Sequence, residues 1–161
     1  MCKLLEDSKQ LVNFDISWAE FPTGMFKDVL QAISKNRRIS YANLSWNSMS
    51  EAEERPNAQE KPTTKRLSVS SIKFSAPVVS FEIECICKFV KYNKNLLHLN
   101  LQNMGINEPM LDQLMTSIKK AKSLQSIHLS NNPCFIGKKA KNIIEKIREN
   151  IRAKNEYNSY V

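Results

Sequence analysis

Glycine is scarce in this chain, with three in 161 residues. A phosphate-cradling loop needs several glycines in a short span, so nucleotide-binding motifs of that kind are excluded. Histidine is scarcer still: His98 and His128 are the only two, placed diagonally rather than in line, so two polar surface histidines are expected ahead of the alternative, a metal or catalytic pair. The four cysteines, Cys2, Cys85, Cys87 and Cys134, show no disulfide-scaffold spacing, which fits reduced thiols inside a cell. On a helix, Cys85 and Cys87 would point about 200° apart, a poor geometry for chelating zinc. No apolar run approaches the roughly 18 residues of a membrane span. The segment Met1–Asp7 turns charged too early for a secretory signal, and Cys2 excludes N-myristoylation. A non-enzyme with no cofactor or metal, in the cytoplasm, is the expectation.

What is present is an apolar content of 42% and a net charge of +8 from 24 basic and 16 acidic residues. The length suits one domain of roughly 150 residues with an ordinary core. Four segments then align: Leu11–Ala19, Ile39–Asn47, Leu96–Met104 and Leu124–Asn132. Each has apolar residues at its first, fourth and sixth positions, for example Leu96, Leu99 and Leu101. Two of them, at Asn47 and Asn132, carry asparagine at the ninth. The starts are 28, 57 and 28 residues apart, so one repeat carries an insertion. Between the segments runs a helical stripe: Phe26, Val29, Leu30 and Ile33 in one unit, Leu111, Leu114, Met115 and Ile118 in another. Counting back from Leu96 places Ile83, Ile86, Cys87 and Val90 at the same offsets, which puts the insertion before that helix, at about residues 50–79.

The pattern resembles the leucine-rich repeat, L-x-x-L-x-L-x-x-N, and its 28-residue unit looks like the ribonuclease-inhibitor-like subtype. The resemblance implies an α/β fold: a short solenoid over residues 1–161, with a curved parallel sheet on the concave side and helices on the convex side. Repeats start near 11, 39, 96 and 124. Positions Ala19 and Met104 depart from the asparagine consensus, so their loops are expected to lack the usual asparagine bonds to backbone. The offsets predict that the chain begins inside the helix of a unit, with Met1, Cys2 and Leu5 at inner-face positions. The strand at Leu11–Trp18 would then expose a backbone edge that invites another chain, or a longer solenoid would precede it.

Alternation along a strand turns the third, fifth and seventh positions to solvent. Asn13, Asp15, Tyr41, Asn43, His98, Asn100, Gln102, Ser126 and His128 make the concave partner-binding set. The surface is polar and poor in cations, which suits a protein or peptide and opposes nucleic acid. Trp18 and Trp46 fall at the eighth position of two units, where large aromatics would anchor a partner at the loop edge. Ser68, in Lys65-Arg66-Leu67-Ser68-Val69, resembles a basophilic kinase site, and Ser159-Tyr160-Val161 resembles a PDZ ligand. A basic capping helix at 138–154, with Ala140, Ile143, Ile144 and Ile147 turned inward, offers a face for an acidic partner. The function implied is a non-catalytic interaction or assembly subunit within a larger complex. The resembled subtype includes structural parts of cilia and other large assemblies, and the Asn- and Lys-rich, Gly-poor composition suits an AT-rich protist genome; with the small size, these imply a cytoskeletal or axonemal setting. The alternative is a phosphorylation-regulated signalling adaptor or inhibitor using the same concave surface.

Overall fold

The computed structural model describes residues 2–22, 24–47, 49, 80–135, 144–145, 147–149 and 151–152. Helix and strand alternate along them: α1 (Cys2–Asp7), β1 (Asn13–Asp15), α2 (Met25–Lys35), β2 (Tyr41–Asn43), α3 (Phe81–Tyr92), β3 (His98–Asn100), α4 (Glu108–Lys120) and β4 (Ser126–His128). A 3-10 turn, Pro133–Phe135, follows, and residues 144–145, 147–149 and 151–152 are helical. The insertion at 50–79, Ser68 and the C-terminal Ser-Tyr-Val lie outside the described residues.

All four strands are parallel and lie in chain order, β1-β2-β3-β4. Asn13 pairs with Tyr41, Tyr41 with His98, and His98 with Ser126, which are the intervals of the sequence repeat. Successive helices pack side by side, α1 on α2, α2 on α3 and α3 on α4. The fold is a strand–helix solenoid of leucine-rich-repeat type. A unit of one short strand and one helix has two apolar faces and nothing to cover them, so stability comes from stacking.

The core lies between the sheet and the helices. Leu44, Leu96, Leu99 and Leu101 from the strand segments meet Leu30, Ile33, Ile83, Ile86, Leu114 and Ile118 from the helices, all essentially inaccessible to solvent. Ala42, small for a core position, is buried in register between Phe14 and Leu99. Local chemistry agrees with packing in α4: the Asn107 side chain accepts a 3.1 Å bond from the Met110 N–H, Pro109 occupies the first turn, and Lys119 and Lys120 close the last.

The single inward stripe is too narrow a description of these helices. Cys87 and Met115, placed inward by the sequence pattern, are only half-buried, whereas Cys85 and Phe89 are fully enclosed. The reason is that α3 is flanked by helices on both sides, so its buried sector wraps around its flanks. Ile144 is likewise corrected: it is exposed, while Ile147 is buried. Both line a cleft beside β4 with Phe135, Ile151, Arg148 and Arg152.

Candidate protein-interaction surface

The side of the sheet facing away from the helices carries three rows of side chains. In the first row Tyr41 stacks on His98, with ring centroids 4.6 Å apart and planes 16° from parallel; Asn13 and Ser126 flank them. The second row is Asp15, Asn43, Asn100 and His128. Its first three members share one device. Each turns a side-chain oxygen to the backbone N–H two residues on: Asp15 to Ser17 at 2.8 Å, Asn43 to Ser45 at 3.3 Å and Asn100 to Gln102 at 3.0 Å. These Asx turns end the strand ladder and bend the chain into the following loop. Across strands, the Asn43 amide donates to the other Asp15 oxygen at 3.0 Å.

Asp15 is held below the usual carboxylate range. The Ser17 backbone N–H is the main cause, followed by the Ser17 hydroxyl, with partial burial opposing and the Asn43 amide adding to the effect. In the third row Ser45, placed at solvent by strand alternation, is buried, and its hydroxyl donates to Asn43 at 2.7 Å. Gln102 reaches across to donate to the Ser130 hydroxyl.

At the eighth position the repeat enforces a backbone state that composition alone does not reveal. Trp18, Trp46, Asn103 and Asn131 all have left-handed φ angles, of 58°, 62°, 51° and 61°. Asparagine tolerates that region well; a bulky side chain there is strained. The two tryptophans are stacked face to face, 4.1 Å between centroids and 14° between planes. They remain 61% and 38% exposed. Their backbone N–H groups donate to Ser45 and Gln102 of the neighbouring unit, which holds both rings at one end of the exposed rows.

The asparagines at the ninth position work between units, and this corrects the expectation for the Ala19 and Met104 loops. Asn47 accepts from the Ala19 N–H and donates to the Ile16 carbonyl of the preceding unit. Asn132 accepts from the Met104 and Ile106 N–H groups and donates to the Leu101 carbonyl. A loop that lacks its own asparagine is therefore bonded by the next one. Asn36 and Asn93, buried at the helix ends, form a second such ladder that the repeat consensus did not signal. Asn36 donates to the Leu5 and Ser8 carbonyls, and Asn93 to Ile39. Their legible trace is their position just after each helix, in register with Ser8.

His98 and His128 are not in line. His98 faces Ser126 across the strands and His128 faces Asn100; the two rings engage Tyr41 and Ser126 respectively. Among the described residues no group of three or more His, Cys, Asp or Glu side chains could hold a metal ion. Burial raises the Cys85 and Cys87 thiols and pushes Cys134 up to about 11, the opposite of what a nucleophilic thiol requires. Among the described residues no helix is long and apolar enough to cross a membrane.

No family model matches this chain, and no curated protein matches it. Among solved structures, the tropomodulin C-terminal domain from Caenorhabditis elegans superposes with a TM-score of 0.49 and 11% identity, covering 99% of this chain and 95% of that one. A likeness at that level transfers neither a partner nor an activity.

Proposed function

We propose that this chain is a non-catalytic protein-interaction module whose binding surface is the exposed strand face together with its tryptophan edge. The observation that carries the reading is the Trp18–Trp46 pair. Two large apolar rings stay in solvent, in a backbone conformation that disfavours them. Strain of that kind persists where the surroundings impose it and clusters at binding sites, and exposed tryptophan is the side chain most often found at the energetic centre of an interface. The polar rows beside it, from Asn13 and Asp15 through Tyr41, Asn43, His98, Asn100 and Gln102 to Ser126 and His128, supply donors and acceptors for a polar rim.

The finer expectations belong to the same reading. Helices of 11, 12 and 13 residues in α2, α3 and α4 support the ribonuclease-inhibitor-like subtype. A cytoplasmic, cytoskeletal or axonemal assembly is the setting proposed with it, on the resemblance to the ribonuclease-inhibitor-like subtype. The experiment is cross-linking in native extract followed by quantification of the captured proteins, comparing the unaltered chain with the Trp18→Asn/Trp46→Asn double variant. A defined partner recovered in fixed stoichiometry, and lost with the double variant while its circular dichroism spectrum stays native, is the expected result. Unchanged capture by the double variant overturns the tryptophan edge as the site.

A further inference from the structure

The helix-to-strand edge of the solenoid, opposite the tryptophan loops, carries a charge pattern that the interaction surface above does not use. Lys9, Arg37, Lys94 and Lys122 each lie four residues before Asn13, Tyr41, His98 and Ser126, the residues that pair across the sheet. They therefore occupy the same place in four consecutive units. All four are exposed. Their loops touch directly. Asn36 donates to the Ser8 carbonyl at 3.1 Å, Asn95 to the Arg37 carbonyl at 2.6 Å, and the Ser123 hydroxyl to the Asn93 carbonyl at 3.3 Å. The backbone spacing from one loop to the next is then set by the sheet, at about 5 Å per unit where the loops enter the strands.

Charge is segregated along the helices. Acidic residues sit in the first turns of α2, α3 and α4, at Asp28, Glu82, Glu84 and Glu108. Basic residues close the last turns, at Lys35, Lys91, Lys119 and Lys120. That arrangement complements the helix dipoles and needs no ligand. The column is different, because Arg37, Lys94 and Lys122 lie beyond the caps Asn36, Asn93 and Ala121. Stacking like charges in register there is self-repulsive. The acids on this edge, Glu6 and Asp7, lie at its α1 end, and Glu6 is occupied by Lys35 at 2.9 Å. Lys9, Lys94 and Lys122 have no carboxylate within ion-pair distance among the described residues.

We propose that this edge is a docking surface for an acidic helical segment of a partner protein, laid across Lys9, Arg37, Lys94 and Lys122. Carboxylates three and four residues apart on one helix face have Cβ atoms about 5–6 Å apart, which matches the step of the column. Nucleic acid suits the edge less well. Tyr92, the aromatic residue here, is already engaged by the Arg37 guanidinium, 5.6 Å from its ring centroid, and by the Lys91 ammonium at 4.6 Å, so a base stacking on it would compete with cations already in place. The surface is independent of the tryptophan pair, and the two proposals stand or fall separately.

The test measures fluorescence anisotropy of a labelled alanine-based helical peptide bearing glutamates on one face, titrated with the full chain at low and moderate salt. The triple variant Arg37→Glu/Lys94→Glu/Lys122→Glu should bind at least tenfold more weakly, with a shallower salt dependence. Trp18→Asn/Trp46→Asn and Arg148→Glu/Arg152→Glu should bind as the unaltered chain does. If the triple variant loses its circular dichroism signal, Lys94→Gln/Lys122→Gln serves in its place and should weaken binding severalfold. Four results would overturn the proposal: no peptide binding at low salt, an equal loss from the Arg148/Arg152 variant, equal affinity for a peptide of the same composition with its glutamates scattered round the helix, or tighter binding of a single-stranded oligonucleotide or an anionic vesicle than of the peptide.

Discussion

Trp18 and Trp46 stand where the backbone of the other two units takes asparagine, Asn103 and Asn131, and the energetics of that choice can be separated. Holding a bulky residue in the left-handed region costs roughly 1–2 kcal/mol, and a stacked aromatic pair returns about 0.5–1.5 kcal/mol. A single Trp→Asn change relieves one strained residue and breaks the stack, so it should leave stability nearly unchanged. The double change relieves two strained residues for the loss of one stack, and should be about 1 kcal/mol more stable than the native chain in urea unfolding. Added stability with lost capture would mark the pair as retained for binding; a large destabilisation would show that the rings support the fold. Asp15 is a second residue-scale case. Its folded pKa is lowered from 3.8, first by the Ser17 backbone N–H, so the stability it contributes is present above its unfolded value and disappears as pH falls through the lower folded one. An NMR titration of the Asp15 carboxyl should give a midpoint below 3.8. Ser17→Ala should move that midpoint partway back, because the hydroxyl is lost while the backbone donor remains.

At the scale of the element, the loops are tied to one another by buried asparagine side chains. Asn132 makes bonds to its own unit, donating to Leu129 and Ser130 carbonyls, and to the preceding one through Met104, Ile106 and Leu101. Met104, Ile106 and Leu101 are inaccessible to solvent, so water cannot replace the asparagine. Asn132→Ala should therefore cost about 3 kcal/mol or more, since each orphaned buried group costs about 1–3 kcal/mol. Asn47→Ala should cost less, because the Ala19 N–H it satisfies is on an exposed loop residue and can turn to water. Equal losses in guanidinium unfolding would argue against burial as the deciding factor. The Asx turns at Asn43 and Asn100 capture the Ser45 and Gln102 N–H groups, which would otherwise be free to extend the pairing with the preceding strand.

For the whole molecule, stability accumulates unit by unit, since each unit touches only its neighbours. Leu99 lies at the centre of β3, inaccessible to solvent and paired with Ala42 on one side and Ile127 on the other. Leu99→Ala should cost roughly 2–5 kcal/mol in denaturant unfolding. A loss below about half a kcal/mol would be the behaviour of a surface position and would contradict the register. Ile127 is only half-buried, and among the described residues β4 has a strand on one side alone. Ile127→Ala should accordingly cost clearly less than Leu99→Ala, although the two residues occupy equivalent places in the repeat.

The apolar positions at one, four and six, with their 28-residue recurrence, determined the parallel pairing and the identity of the central core, because a period of two along the strand and a helical stripe between strands admit one stacked solution. Leu99, Leu101, Ile83 and Leu114 were legible for that reason. What lies between units was not. The depth of Cys85 and Phe89, the left-handed state of Trp18 and Trp46, and the service of Asn47 and Asn132 to the unit before their own each depend on a neighbour many residues away. A repeat consensus records what every unit needs for itself. Burial on a helix flank and a bond across a loop boundary arise only when the units are in contact, and those contacts were decided by the tertiary structure.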